Sequence, residues 1–181
     1  MRRLVLSLSV SLDGFTAAPD GDLGWVFRSF DDEMEKSIVD TYQEMGTILL
    51  GRGAYQDMSQ TWPSSPDAIA APMNTLPKVV FSGTLRSAEW ANSRICAGDL
   101  AAEVHRLKHE PGGDIIAPGG ARLARSLCRL GLVDEYRLMV HPVALGAGAP
   151  LFADVPAPAD LDLVECRPFG TGAIRCVYRP T

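Results

Sequence analysis

The sequence predicts an α/β domain with a mostly parallel central sheet and an antiparallel C-terminal edge. Apolar, strand-like segments alternate with helical segments over the first two-thirds of the 181 residues, and this order requires crossover connections between parallel strands. The last two predicted strands, residues 134–141 and 173–179, follow one another without a long helix, which favours antiparallel pairing. No repeat or linker divides the chain, so we treat residues 1–181 as a single domain.

The spacing of apolar residues defines each element. Residues 3–12 alternate leucine or valine with serine, which is the period of a strand. Residues 31–45 begin with acidic side chains, which the helix dipole favours, and then repeat apolar residues at helical spacing. The other predicted elements are a strand at 47–50, a helix from Ala54 that ends before Pro63, a strand at 78–82, a helix at 99–109, a strand at 114–117, and an amphipathic helix that buries Leu123, Ala124, Leu127 and Cys128 and ends near Gly131.

Composition argues against several classes of function. The formal net charge is −5, whereas nucleic-acid binding needs a basic face, so we expect no nucleic-acid partner. No apolar run reaches the length of a bilayer span, and we expect no membrane partner. The four cysteines and three histidines lack the spacing of a zinc site, so we expect no metal and reduced, packed thiols. Arg2 and Arg3 precede an alternating strand instead of a signal's continuous apolar helix, and we predict a cytoplasmic protein.

Three glycine turns follow predicted strands and open a helix or a loop. They are Gly51–Tyr55, Ser82–Leu85 and Gly119–Leu123. In open α/β sheets ligands bind at the carboxyl ends of the strands, where helix N-termini attract phosphates and glycine lets the backbone approach them. Arg52 adds a forked, permanently charged donor that suits a phosphate. Together the turns predict a dinucleotide site, although the Rossmann, P-loop and nucleophile-elbow motifs are absent.

Successive motifs along the chain resemble those of the dihydrofolate reductase-like superfamily. They are Ser11–Gly14, Leu49–Tyr55, Pro77–Ser82 and Gly119–Ala124. A later run narrows the match to the C-terminal reductase domain of the bifunctional riboflavin-biosynthesis deaminase-reductase and its stand-alone relatives; it comprises Leu132–Glu135, His141–Val143, Leu145–Gly148 and Leu151–Phe152. The resemblance implies a three-layer sandwich, bound NADPH and a homodimer. The chain has no counterpart of the zinc-dependent deaminase domain, so we expect no deaminase step.

The resemblance also implies a role toward NADPH for each motif. Gly51, Arg52, Gly53 and Ala54 match the turn that holds its phosphates. The turn beside the adenosine 2′-phosphate is matched by Ser82, Gly83 and Thr84. The glycine pair and helix start that bind the pyrophosphate are matched by Gly119, Gly120, Ala121, Arg122 and Leu123. Positions that line the nicotinamide and its covering loop are matched by Ser9, Ala18 and Trp25.

The catalytic acid is one of two candidates. Dihydrofolate reductases carry an acid on the first helix that helps to protonate the pterin, and here Asp32 and Glu35 both occupy that helix. Register does not choose between them, and both also suit a solvated first turn stabilised by the helix dipole. Asp13 suits a carboxylate that fixes its loop by accepting hydrogen bonds from backbone N–H groups. Trp25, Trp62 and Trp90 also suit simple packing positions.

We therefore expect an NADPH-dependent reductase of a small heterocyclic (pterin- or pyrimidine-like) or carbonyl substrate, similar to 5-amino-6-(5-phosphoribosylamino)uracil reductase. A hydride would pass from the nicotinamide to a C=N or C=O carbon. The alternative is a non-catalytic nucleotide- or pterin-binding protein for sensing or sequestration, because fold alone does not determine function. We also predict a homodimer, since the apolar segment from Glu135 to Val143 would lie at the sheet edge, where a second copy could cover it.

Overall fold

The computed structural model describes residues 1–181, and it consists of an eight-stranded sheet between two layers of helices. The order of strands across the sheet is β4-β3-β2-β5-β1-β6-β8-β7. The first six strands pair in parallel, whereas β8 pairs antiparallel with both β6 and β7. In chain order the strands are β1 Leu4–Ser11, β2 Met45–Gly51, β3 Lys78–Phe81, β4 Ser93–Cys96, β5 Asp114–Ala117, β6 Glu135–His141, β7 Leu161–Pro168 and β8 Ile174–Pro180. The predicted α/β architecture is confirmed.

The helices divide between the two faces of the sheet. They are α1 Asp32–Gln43, α2 Arg52–Thr61, α3 Ala70–Thr75, α4 Leu100–Lys108 and α5 Ala121–Arg129. On one face α1, α2 and α3 pack through Tyr42, Tyr55 and Met73. On the other face α4 and α5 pack through a larger apolar cluster that includes Leu107 and Leu127. None of these helices combines the length and the apolar character that crossing a bilayer requires.

Several boundaries and three elements differ from the sequence-based prediction. Short β4 and α3 and the exposed β7 lie where the sequence predicts only connections. Met45 begins β2 instead of ending the first helix, because α1 stops at Gln43. The start of α1 is fixed by Asp31, whose carboxylate accepts a hydrogen bond from the N–H of Met34 at 2.9 Å. α2 begins at Arg52, two residues before the predicted start, so the glycine turn is part of the helix itself.

The prediction that Glu135–Val143 forms a sheet edge is wrong. β6 pairs with β1 on one side and with β8 on the other, because the last strand returns next to β6 and leaves β7 outermost. The two edges of the sheet are therefore β4 and β7. β7 exposes apolar side chains, with Leu163 at 56 % and Val164 at 48 % exposure. Exposed apolar surface that a second copy could cover therefore lies on β7 and not on β6.

β6 also carries a buried carboxylate. Glu135 is 1 % exposed and accepts hydrogen bonds from Arg3 Nη1 at 2.8 Å, Arg137 Nε at 2.7 Å and Arg179 Nε at 2.9 Å. A buried charge is tolerated only when it is paired. These ion pairs line a crevice of about 330 Å³ between α1 and the final strands. Glu135 thus joins the segment before β1 to β6 and β8.

Candidate functional site

The carboxyl ends of β2 and β5 bring two helix starts together. β2 ends at Gly51 and continues directly into α2, whereas β5 leads through Gly119 and Gly120 into α5. Gly120 has a φ of +88°, a left-handed conformation that favours glycine. A Cβ atom at Gly120 would lie 3.3 Å from Cβ of Ala54, and one at Gly51 would lie 3.5 Å from Cβ of Leu123. The first turns of α2 and α5 are therefore packed side by side.

The first turn of α2 leaves open space beside its second residue. Gly53 has no positive φ, and no heavy atom would lie within 4 Å of a Cβ atom there. The same is true of Gly83 in the turn after β3. N–H groups in a first helical turn have no partner inside the helix and carry the positive end of its dipole. A phosphate can approach such a surface to hydrogen-bonding distance, so this turn has room for one.

The first turn of α5 supplies a second set of unpaired donors. Its first intrahelical hydrogen bond runs from the N–H of Ala124 to the carbonyl of Gly120 at 3.0 Å. The N–H groups of Ala121, Arg122 and Leu123 come before this bond and have no partner inside the helix. These three residues complete the turn that the sequence predicts from Gly119 to Leu123. The side chain of Leu123 is buried in the core, so only its backbone can meet a ligand. Two adjacent helix N-termini make a site suited to an anion with more than one phosphate.

Arg52 and Thr84 meet across the strand ends. Arg52 Nη1 donates a hydrogen bond to Thr84 Oγ1 at 2.9 Å, which links the turn after β2 to the turn after β3. Ser82 Oγ accepts hydrogen bonds from the N–H groups of Thr84 at 3.2 Å and Leu85 at 2.9 Å. The hydroxyl of Ser82 therefore shapes the turn, whereas the exposed guanidinium of Arg52 is available for a ligand.

Arginines without a carboxylate partner concentrate at this end of the sheet. Most arginines of the chain form ion pairs with aspartate or glutamate. The exceptions are Arg28, Arg52, Arg86, Arg122 and Arg129. Four of the five follow the carboxyl ends of strands: Arg52 opens α2, Arg86 follows the turn after β3, Arg122 opens α5, and Arg28 lies in the segment after β1. All four are exposed, so each guanidinium can meet an anionic ligand without first breaking an ion pair.

A buried histidine lies at the carboxyl end of β6. His141 is 0 % exposed; its Nδ1 lies 2.8 Å from Ser29 Oγ and its Nε2 lies 3.0 Å from Ser9 Oγ. The ring of Trp25 packs edge-on against the imidazole at 5.4 Å. Burial lowers the pKa of His141 to about 4, so the ring is neutral at neutral pH. The imidazole thereby ties the segment that carries Trp25 and Ser29 to β1.

Two of the predicted nicotinamide-lining residues are held by the loop itself. Trp25 is buried, and its Nε1 donates to the carbonyl of Asp22 at 3.2 Å. The N–H of Ala18 also donates to the carbonyl of Asp22, at 3.1 Å. Ser9 and Ala18 are both partly exposed, and of the three only Ser9 has a side-chain hydroxyl.

The loop after β1 is fastened to the loop after β6. Asp13 accepts hydrogen bonds from Ser11 Oγ at 2.6 Å and from the N–H groups of Gly146 at 2.7 Å and Leu145 at 3.1 Å. These bonds lower the pKa of Asp13 to about 2. A Cβ atom at Gly148 would lie 2.1 Å from the carbonyl oxygen of Ala17. Asp13 therefore has the loop-fixing role that the sequence suggests.

The two candidate acids on α1 do not meet the polar residues at the strand ends. Asp32 is exposed and forms no hydrogen bond or ion pair. Glu35 accepts a hydrogen bond from the N–H of Ala68 at 3.1 Å, just before α3. Neither carboxylate hydrogen-bonds Ser9 or His141, and a catalytic role for Asp32 or Glu35 stays a prediction.

From the sequence alone, His141 has no assigned role and is named only as part of the motif His141–Val143. Its position in the sheet is what identifies it as a site residue. β1 and β6 pair in parallel with Ser11 opposite His141, so the polar alternate residues of both strands face α1. The sequence does not predict that β6 pairs with β1, because it gives no order of strands across the sheet.

Comparison with known proteins shows relatives of the same length and fold. The chain is 37 % identical over 183 aligned positions to the uncharacterized protein YyaP of Bacillus subtilis, and the match covers 98 % of this chain and 94 % of that protein. A candidate riboflavin biosynthesis protein of Shewanella sp. PV-4 superposes with a TM-score of 0.81 at 18 % identity, covering 99 % of each chain. Dihydrofolate reductase of Enterococcus faecalis, solved as a complex with NADP(H), superposes with a TM-score of 0.64 at 12 % identity over 99 % of this chain and 96 % of its own.

At these low identities the two solved structures show that the fold is shared, which confirms the predicted dihydrofolate reductase-like sandwich. The family model of the RibD C-terminal domain matches residues 2–175, which is nearly the whole chain. The protein therefore belongs to the RibD C-terminal domain family.

Proposed function

We propose that this chain is an NADPH-dependent oxidoreductase that reduces a small heterocyclic substrate, pterin- or pyrimidine-like, or a carbonyl compound. The observation that carries the proposal is the junction of the α2 and α5 starts, with open space at Gly53 and, at Arg52, an exposed guanidinium that Thr84 positions and no carboxylate neutralises. NADPH has a pyrophosphate and a separate 2′-phosphate, and both are anions that helix N-termini and arginine bind well. Family membership and the NADP(H) complex of the enterococcal relative support the same cofactor.

The residues at the strand ends divide between the parts of the cofactor. The first turns of α2 and α5, including Gly53, Ala54, Ala121 and Arg122, would hold the pyrophosphate through their N–H groups. Arg52, fixed by Thr84, would bind the 2′-phosphate. Ser9 would line the nicotinamide, with its hydroxyl oriented by the neutral imidazole of His141. When bound, NADPH supplies a hydride.

The chain itself contributes binding, orientation and exclusion of water. We propose water as the source of the proton, because neither Asp32 nor Glu35 hydrogen-bonds Ser9 or His141. The segment with Trp25 and Ser29 would cover the nicotinamide, since His141 joins it to β1.

The proposal is tested by binding and turnover with the same sample. Fluorescence titration should show tighter binding of NADPH than of NADH, since only NADPH carries the 2′-phosphate. NADPH oxidation is then followed with a panel of pterins, aldehydes and ribosylaminopyrimidines, the last including 5-amino-6-(5-phosphoribosylamino)uracil. Absence of NADPH binding would refute the cofactor assignment, whatever the substrate.

A second candidate is a nucleotide- or pterin-binding protein without turnover. The exposed, unpaired Asp32 and the engaged Glu35 favour it, because a pterin reductase needs a proton donor near the substrate. This candidate predicts NADPH or pterin binding without oxidation of NADPH by any member of the panel. Turnover of one substrate excludes it.

We further propose a homodimer in the cytoplasm, a compartment that suits a chain whose four cysteines are all free thiols. The exposed Leu163 and Val164 on edge strand β7 support a self-association surface. Light scattering at micromolar concentration should give twice the chain mass. Substitution of both residues by lysine should then shift the mass toward the monomer, and a monomeric wild type would contradict the proposal.

A further inference from the structure

Two cysteines lie directly opposite one another on the outer hairpin of the sheet. Cys166 of β7 pairs in register with Cys176 of β8, and both thiols are free. Alternate residues of β8 point to opposite faces. Tyr178, two residues after Cys176, packs against the core under α4 and α5, so the two thiols lie on the face away from the crevice beside α1.

The hydrogen bonds of the turn define the geometry of this pair. The N–H of Phe169 donates to the carbonyl of Ala173 at 2.8 Å, which makes these residues a hydrogen-bonded pair. Pairs with and without these bonds alternate along an antiparallel ladder. Three steps further, Cys166 and Cys176 are therefore a non-hydrogen-bonded pair. Pro168, one step from the turn, agrees with this alternation, because proline has no N–H to contribute.

That type of pair has the spacing of a disulfide. Cα atoms in a non-hydrogen-bonded antiparallel pair lie about 4.5 Å apart, and disulfides join Cα atoms that lie roughly 4.4–6.8 Å apart. Both side chains point to the same face, so a bond can form without a shift of either strand. The other two cysteines have no such neighbour: Cys96 lies on the opposite edge strand β4, and Cys128 is buried in α5.

The two thiols differ in accessibility, which sets the order of reaction. Cys166 is exposed, whereas Cys176 is half-buried. Burial and the neighbouring Cys166 raise the pKa of Cys176. An attacking thiolate must reach its target from solvent, so Cys166 reacts first and Cys176 second.

We propose that Cys166 and Cys176 form a reversible thiol–disulfide site that a low-molecular-weight disulfide, such as oxidised glutathione, closes. The Cys166 thiolate attacks one sulfur of that disulfide and releases the first thiolate, which leaves a mixed disulfide on Cys166. The Cys176 thiolate then attacks Cys166 Sγ, and the second thiolate leaves. The two cysteines are oxidised, the small disulfide is reduced to two thiols, and the protons pass to solvent or to the departing thiolates.

Closure would stiffen a hairpin that supports the start of α1. Phe169 and Ala173, at the two ends of the turn, pack with Met34 of α1 and Met139 of β6. Arg167, next to Cys166, forms an ion pair with Glu33 of α1 at 2.5 Å. A covalent bond between the two strands would therefore limit opening of the contact between the hairpin and α1.

The test uses the full chain, reduced and then incubated with oxidised glutathione. Free thiols are blocked with a maleimide, and peptides are identified by mass spectrometry. The wild type should yield a Cys166–Cys176 disulfide, two hydrogen atoms lighter than the reduced pair. It should also unfold at a temperature roughly 5–10 °C higher, because the bond restricts the unfolded chain. Cys176→Ser should retain a glutathione adduct on Cys166, and Cys166→Ser should remain largely unmodified.

Two results would overturn the proposal. The first is a wild type that keeps glutathione on Cys166 while Cys176 is blocked by the maleimide, since this shows that the second thiol does not attack. The second is a disulfide between Cys166 residues of two chains on non-reducing electrophoresis. Cys96 and Cys128 are internal controls in every sample, and both should stay free of a disulfide partner.

Discussion

A methyl group at position 53 should weaken NADPH binding without harm to the fold. Gly53 lies in the first turn of α2, has no positive φ, and would place a Cβ atom in open space. Alanine is more favourable than glycine within a helix by about 0.5–1 kcal/mol. We therefore expect Gly53→Ala to be as stable as the wild type or more stable.

The loss of binding follows from the approach that a phosphate must make. A phosphate oxygen that accepts a hydrogen bond from an N–H group in this turn lies about 2.7–3.2 Å from the nitrogen. The methyl group of alanine would occupy the open space that the phosphate uses. We expect affinity for NADPH to fall at least tenfold, which corresponds to about 1.4 kcal/mol.

Fluorescence titration with NADPH and thermal unfolding are measured on the same preparations. The matched control is Gly170→Ala in the β7–β8 turn, where a Cβ atom also meets nothing within 4 Å and φ is not positive. The control should bind NADPH like the wild type. If Gly53→Ala also binds like the wild type, the phosphates do not lie at the start of α2, and the cofactor site is misplaced.

Three further predictions address other residues of the site. Arg52→Gln should cut the preference for NADPH over NADH by roughly tenfold or more, since a charge-assisted hydrogen bond contributes about 1.5–3 kcal/mol; an unchanged ratio of dissociation constants would remove Arg52 from the 2′-phosphate site. Acidification from about pH 6.5 to about pH 4 should destabilise the wild type more than His141→Asn. The reason is that the imidazole of the unfolded chain gains a proton near the ordinary histidine pKa of about 6.5, whereas burial lowers the pKa of the folded one to about 4. The difference approaches about 3 kcal/mol below about pH 4, and parallel chemical denaturation midpoints over this range would contradict it. Gly120→Val should lose NADPH binding together with stability, because φ is +88° and a Cβ atom there would lie 3.3 Å from Ala54. Strain on the order of 1–2 kcal/mol is expected, and an unchanged thermal midpoint would show that the turn adapts.

The strongly patterned parts of the fold were predictable from the sequence. In α5 all four residues of the predicted apolar face are buried, since an apolar face at helical spacing must be covered. The glycine turns were predictable as a group for a related reason. Neighbouring parallel strands end at the same edge of a sheet, so the turn at Gly51 packs against the turn at Gly120 although the two are far apart in sequence.

The elements that the sequence did not reveal are short or weakly buried. β4 is as short as β3 and β5, but its sequence Ser-Arg-Ile-Cys lacks their apolar run. α3 has six residues, too few to establish a helical period. β7 is exposed along nearly its whole length, so no apolar face distinguishes it from a loop. The role of His141 depends on which strand lies next to β6, and that is a property of the topology. Its contacts with Ser9 and Ser29 follow only once β1 and β6 are adjacent.

The carboxylate of Glu135 has a practical consequence for where the polypeptide can be trimmed. Two of its three arginine partners, Arg3 and Arg179, are within three residues of the first and last positions of the sequence. Deleting either terminal stretch would remove a counter-charge from a group that is 1 % exposed, and a buried carboxylate with fewer partners is costly. Expression boundaries and affinity tags are therefore safest when they leave both arginines in place, even though terminal residues are usually the most dispensable part of a domain.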